Sequence, residues 1–358
     1  MSYRVWTLAL ALLGACNFVY GLDETRLRNT SPRTLVFDNS ASATDLIEFP
    51  VMIAPDRSFD FEDVIEPNTN IKFVDPTTQA ELPFDIEVWN RDGGSVFWVR
   101  VPKITARSTT DYIEMHFGAD ILTTGNSNVW GPDYDLVVHG AAGGNAPNVA
   151  GNAYQGRGTT PVVTTEGVLG DGIGMPNTVT FEGSNTLLNG WEQFTLEFWL
   201  YADYPSIPAL PPMTQAIEIR VLDRGGSMNL GRLIQTETPD ILRLQIDTHF
   251  VGDSLFDAAS THLQRWTYIV FTFDGQAQWV YRDGGFESFA RMAAPTRLQT
   301  DDPLNPHLFR LGDQGANRLL QGKLDEIRVS HVARNDDWVY AQYLSMTERF
   351  VTFVALAE

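Results

Sequence analysis

Apolar and polar residues alternate along most of this chain with a period of two. In DYIEMHFG, Ile113, Met115 and Phe117 fall on one face and Tyr112, Glu114 and His116 on the other, as in a half-buried strand. FTLEFWLY repeats the pattern, with Phe194, Leu196, Phe198 and Leu200 set against Thr195, Glu197, Trp199 and Tyr201. SVFWVRV is denser, as a strand covered on both faces would be. Turn residues separate these runs, among them Asp75-Pro76, Asn90 to Gly94, Asp274-Gly275 and Asp283-Gly284. Only DDWVYAQYLSM has convincing helical spacing, with Trp338, Tyr340, Ala341 and Leu344 on one side. The pattern predicts an all-β chain of two β-sandwich domains with a short C-terminal helix.

The polar, turn-rich stretch ADILTTGNSNVWGP divides the strand-like runs into two sets. We therefore expect a first sandwich over 32–120, a linker over 121–132 and a second sandwich over 133–358. No repeat with a period of about 20 to 50 residues is visible, so a solenoid or propeller is not expected.

A different pattern precedes the strands. Arg4 is followed by an apolar run, Val5 to Ala15, that stops at Cys16. A spanning helix needs about 20 apolar residues, so this run is short for a membrane crossing. One positive charge, a short apolar core and small residues before a break are features of an export signal. Leu13-Gly14-Ala15-Cys16 resembles the lipobox of bacterial lipoproteins. That resemblance implies a signal peptide over 1–15, acylation of Cys16 and a lipidated tether over 16–31. Asn17 replaces the Asp that resembles an inner-membrane retention signal, which points to the outer membrane, facing the periplasm or the cell surface. The chain has 1 cysteine, as an anchor would require; the alternative is an ordinary buried thiol. No later stretch is long and apolar enough to span, so attachment to the membrane would rest on the acyl chains.

Charge removes some partners. The formal net charge of −20 disfavours nucleic acid, which calls for a basic stripe, and disfavours anionic headgroups as a docking surface. Hydrophobic residues make up 43% of the chain, enough for two packed cores.

FPVMI, NIKFVD, LPFDIEVWN, SVFWVRVPKI and STTDYIEMHFG together resemble an uncharacterised β-domain of exported bacterial proteins. That domain is also found beside proton-channel components of the MotA/TolQ/ExbB kind, and it implies no activity. FTLEFWL, RWTYIVFTFDG with WVYRDGG, and LQGKLDEIRVSHVARNDDWVYAQY resemble the laminin-G/concanavalin A-like jelly rolls. This second resemblance implies a jelly-roll fold over about residues 133 to 358.

Strict alternation through KLDEIRVS puts Asp325 with Ile327 and Val329, and Glu326 with Leu324 and Arg328. A carboxylate on an apolar face is costly unless it is paired, hydrogen-bonded or metal-bound. Backbone N–H groups would satisfy it, and so would calcium, which takes oxygen ligands. Related jelly rolls often hold calcium here, with help from an acidic loop early in the domain. The matching loop is Asn148 to Asn152, so the resemblance implies Asp325 and Asn148 as ligands. Gly140 stands where a further acidic residue is usual.

Catalytic signals are sparse. Glycosidases need two carboxylates flanking the scissile bond, and LEFWLYAD offers Glu197 alone before the loop. No HExxH or GxSxG motif occurs. Binding has more behind it: Glu197, Trp199 and Tyr201 alternate onto the face opposite the core, where aromatics stack on sugars if the face is open. The alternative is that a second layer covers that face. The proline-rich insert YADYPSIPALPPMTQ lies beside it. We expect a lipid-anchored envelope protein that binds a carbohydrate or protein ligand without catalysis. A structural spacer or assembly part of the envelope and a degraded glycanase are the alternatives.

Overall fold

The computed structural model describes residues 32–354 apart from 56–58, 60, 93, 124–128, 152–153, 159, 176–177, 204–217, 225–227, 234–240, 248–253, 261–263, 293, 305 and 313–321. For the strands between 218 and 260 it describes the backbone alone. Cys16, the expected signal peptide and tether, and most of the proline-rich insert lie outside the described residues. Among these residues the protein is mostly β with two helices, Pro67–Asn70 and Asp336–Met346. No helix among them is long and apolar enough to cross a membrane.

The first sandwich packs a five-stranded sheet on a three-stranded one. The larger sheet runs Val351–Val354, Arg33–Phe37, Tyr112–Phe117, Ile71–Val74, Glu81–Leu82, and the smaller runs Leu46–Ile53, Val96–Ile104, Phe84–Val88. Ile113, Met115 and Phe117 point inward as their alternation predicts, against Phe49, Val51, Phe97 and Val99. The other face of the Val96–Ile104 strand is covered as well, with Trp98 fully buried, which explains the density of its sequence.

The second sandwich faces two sheets of eight strands each, among the described residues, around an apolar core. Phe194, Leu196, Phe198, Leu200, Ile269, Phe271 and Phe273 pack there against Phe181, Phe309 and Leu311. One of the sheets contains Asp171–Met175, Gly322–Ser330, Phe194–Ala202, Trp266–Phe273 and Ala277–Arg282 as neighbours, and its other face carries the chemistry below.

The chain's last described elements return to the first sandwich. Val351–Val354, expected in the second, pairs antiparallel with Arg33–Phe37, so that Val354 sits opposite Thr34. Trp338, Ala341 and Phe350 complete the first core. The helix Asp336–Met346 is capped by Asn335, whose Oδ1 accepts from Trp338 N–H at 2.9 Å. Asp337 Oδ2 accepts from Ala43 and Thr44 N–H of the first sandwich, at 2.9 and 2.8 Å. Asp336 accepts from the Tyr281 hydroxyl of the second at 2.7 Å. The sequence suggested one apolar side, yet Val339 and Met346 are buried as well and Tyr340 is exposed. A helix wedged between two sandwiches needs two buried faces.

Candidate functional site

Met52, Val96 and Trp98 of the first sandwich meet Trp199, Tyr268, Val270 and Tyr281 of the second, with Val339 and Met346 of the helix between them. Val129 and Trp130, in the expected linker, are buried in the same cluster. The open aromatic face of the second sandwich is therefore corrected: it is a seam. Glu197 and Trp199 are 4% and 5% exposed, and Trp199 packs on Tyr268 and Tyr343. Only Tyr201, one turn of the alternation further on, reaches partial exposure.

Charges are buried in this seam because of a bulge. Glu197 pairs with Arg328 and Trp199 with Asp325, and the register slips between them. Glu326 sits at the slip with φ +49°, the extra residue that breaks strict alternation. Leu324, Ile327 and Val329 consequently face the core, while Asp325 shares the seam side with Trp199. Expecting Asp325 beside Ile327 and Val329 was wrong for this reason.

Around the bulge a polar network closes. The Arg328 guanidinium, fully buried, donates to Glu326 Oε2 and lies 4.2 Å from the Trp98 ring centroid and 4.8 Å from that of Trp130. His139 Nδ1 is 2.6 Å from Glu326 Oε1. From the first sandwich, Glu87 accepts from Trp98 Nε1–H at 2.7 Å, and Asp85 Oδ2 lies 3.7 Å from His139 Nε2. On the other side of Arg328, Glu197 accepts from the Tyr268 hydroxyl.

Burial and neighbours divide these groups. Burial, reinforced by Glu326, pushes the Glu87 carboxyl up to about 8. Burial also raises Glu197, against the pull of Arg328. Glu326 is lowered even though burial opposes it, because His139 and Arg328 flank it. His139 is held well above its ordinary value, against burial, by Glu326 and Glu87. Asp85 is lowered against burial by His139.

Asp325 is fully buried; its Oδ2 accepts from Val168 and Leu169 N–H at 2.7 and 3.0 Å. Burial and Glu326 raise its carboxyl well above the usual range, and those two N–H groups offset part of the rise. Gly167 makes the wrap feasible, since a Cβ there would lie 2.4 Å from Asp325 Oδ2. Asn148 is held elsewhere: its Oδ1 accepts from Val137 and Ala150 N–H at 2.9 and 3.1 Å. Asp325 Oδ2 and Asn148 Oδ1 are thus each engaged by backbone N–H groups of different turns, while Asp325 Oδ1 is buried without a hydrogen-bond partner. Gly140 cannot be replaced by an acid, because a Cβ there would fall 1.5 Å from Asp171 O.

At the sheet's rim lies a cleft of ≈ 430 Å³ lined by Thr164, Thr165, Met175, Tyr201, Asp203 and Lys323. Lys323 Nζ sits 5.4 Å from the Tyr201 ring centroid and donates to Glu166 O at 3.4 Å. Trp266 meets the same ring edge-on at 5.6 Å. An aromatic, two hydroxyls, a carboxylate and an ammonium around an apolar floor suit a ligand carrying many hydroxyls.

Residues 175–340 match the model of the concanavalin A-like lectin/glucanases superfamily, of the laminin-G type. The second sandwich contains a laminin-G domain. Residues 68–129 match a domain of unknown function, DUF2341. No curated protein matches the chain. Solved structures similar to it include the binding domain of Paraclostridial Mosquitocidal Protein 1, with 14% identity over 60% of this chain and 52% of that one, at a TM-score of 0.47. The Botulinum Neurotoxin serotype G binding domain is 12% identical over 58% of this chain and 50% of its own, at a TM-score of 0.45. The binding domain of Botulinum Neurotoxin DC in complex with SialylT is 9% identical over 60% and 52%, at a TM-score of 0.43. The chain spans about half the length of each of these, and at this similarity they locate no site on the laminin-G domain. The covered face was the alternative that the sequence left open; the roles of Glu87, His139 and Arg328 were missed. The one available signal was the set of charges inside otherwise apolar strands, in FDIEV and KLDEIRVS.

Proposed function

We propose that the protein is an exported, lipid-anchored envelope protein whose laminin-G domain binds a carbohydrate or protein ligand at the Tyr201 cleft, without catalysis. The observation that carries this reading is the rim cleft, which combines the half-buried Tyr201 with Thr164, Thr165, Asp203 and Lys323. The lipobox-like Leu13-Gly14-Ala15-Cys16 supports the anchor. The absence of turnover is supported by closure of the seam: Glu197, Asp325 and Glu326 are at most 4% exposed, and a polysaccharide must reach both carboxyls of a glycosidase. The reading is tested by applying detergent-solubilised full chain to glycan arrays and to envelope pull-downs. Tyr201→Ala is expected to weaken the signal by about 1 to 3 kcal/mol, the range of an interface hot spot, with an unchanged melt. Release of reducing sugar from a bound glycan would overturn it.

The second reading is a spacer. It is favoured by the seam, in which the first sandwich and the terminal helix occupy the face a ligand would otherwise use. The first sandwich's resemblance to β-domains beside proton-channel components agrees with an assembly role. Stoichiometric recovery of one envelope protein, with no glycan signal, would favour this reading.

A further inference from the structure

The seam brings three side chains of metal-binding type together from distant parts of the chain. Glu87 comes from the first sandwich, His139 from the end of the Tyr134–Val138 strand, and Glu326 from the bulge. One donor atom of each lies within 4.8 Å of the others, and this is the one such group of His, Cys, Asp and Glu among the described residues. Each of the three has a further polar neighbour. Asp85 faces His139 Nε2, Trp98 Nε1–H donates to Glu87, and Arg328 donates to Glu326 Oε2. Outer partners of this kind orient metal ligands, and a carboxylate is one of the groups found behind a ligating histidine. A separate observation concerns Glu87 itself: its side chain is 4% exposed, and Oε1 has no hydrogen-bond partner. A buried carboxylate oxygen left without a donor is costly.

We propose that Glu87, His139 and Glu326 bind a divalent transition-metal ion, zinc by donor type, that staples the two sandwiches. One imidazole and two carboxylates suit zinc, whose bonds to N and O donors run at about 2.0 to 2.2 Å. Two protons would leave to solvent as the ion enters, the one shared between His139 Nδ1 and Glu326 Oε1 and the one on the Glu87 carboxyl, because each donor must be deprotonated. Since Glu87 belongs to one sandwich and the other two ligands to the second, the ion would raise the stability of their association. The site is distinct from calcium at Asp325 and Asn148, which needs a cage of oxygens.

The test uses the full chain with Cys16→Ser, so that the thiol cannot compete, stripped with EDTA and dialysed. Zinc chloride is expected to bind with one equivalent by calorimetry and to raise the Tm. Glu87→Gln keeps the side-chain volume and should weaken zinc binding at least tenfold; His139→Ala should abolish it. Asp85→Asn, which removes no ligand, should weaken binding by about ten- to a hundredfold. An unshifted melt of the parent at saturating zinc would overturn the proposal. So would an equal shift in Glu87→Gln and the parent, which would place the zinc elsewhere, and this variant decides the matter even if His139→Ala does not fold. A shift with calcium chloride and none with zinc chloride would also overturn it.

Discussion

The same sheet of the laminin-G domain is covered on both faces, but by opposite chemistry. Toward its own core it presents Phe194, Leu196, Phe198, Ile327 and Val329, with no charge among them. Toward the seam it presents Glu197, Trp199, Tyr268, Asp325 and Arg328, all buried as well. The apolar face holds through area removed from water, about 25 cal/mol per Å², and tolerates volume-conserving exchange. The polar face depends on pairing, because each buried ion needs its partner. Equal burial therefore does not mean equal sensitivity: a seam residue should be least forgiving where its partner stays behind.

The largest effect is expected at Arg328. Arg328→Ala leaves Glu326 buried without its guanidinium and should cost about 3 to 5 kcal/mol, read from the denaturant midpoint of the full chain. Combining Arg328→Met with Glu326→Gln removes both charges and should recover part of the loss. If the double variant were no better than the single, packing on Trp98 and Trp130 rather than pairing would govern the seam. Trp199→Ala should cost about 3 kcal/mol or more through the cavity it leaves. In a core-facing control, Phe198→Ala should lose a similar amount, since both side chains are buried and neither is charged.

Asp325→Ala comes next. It orphans the Val168 and Leu169 N–H groups, a loss of about 1 to 3 kcal/mol. An unchanged Tm would show that the wrapped loop is held by other contacts. The change should persist in chelated protein, with no added effect of calcium chloride, if those N–H groups are its main partners.

Glu197 is expected to give the smallest effect, and one that depends on pH. Its folded-state pKa is raised above the ordinary 4.5, so ionisation favours the unfolded chain. The penalty is absent below about pH 4.5, grows as pH rises toward the folded value and is constant above it. Glu197→Gln should therefore gain stability relative to the parent between pH 4.5 and 7. A constant difference across that range would mean Arg328 compensates the carboxylate fully.

Alternation was a sufficient guide wherever one face meets the protein's own core. It placed Ile113, Met115 and Phe117, and the whole inward row of the Phe194–Ala202 strand. It failed at Glu326, where a single positive φ reverses the side on which Asp325 lies, and nothing in KLDEIRVS announces a bulge. The Tyr201 cleft was half legible. Tyr201 was visible as an aromatic on the outer row, but the strand Val163–Glu166 that brings Thr164 and Thr165 beside it carries no distinctive motif.

Local periodicity and turn chemistry, by themselves, determined that this is an all-β protein with two sandwiches and one late helix. They could do so because the side chains of a strand face alternately in and out whatever their partners are. What covers an outward row is decided by segments far away in the chain. His139 meets Glu326 across 187 positions, and Met52 meets Ser345 across 293. Only the tertiary structure could turn Trp199 from a ligand contact into packing, move the last strand into the first sheet and gather Glu87, His139 and Glu326, because each outcome depends on which surface docks against which.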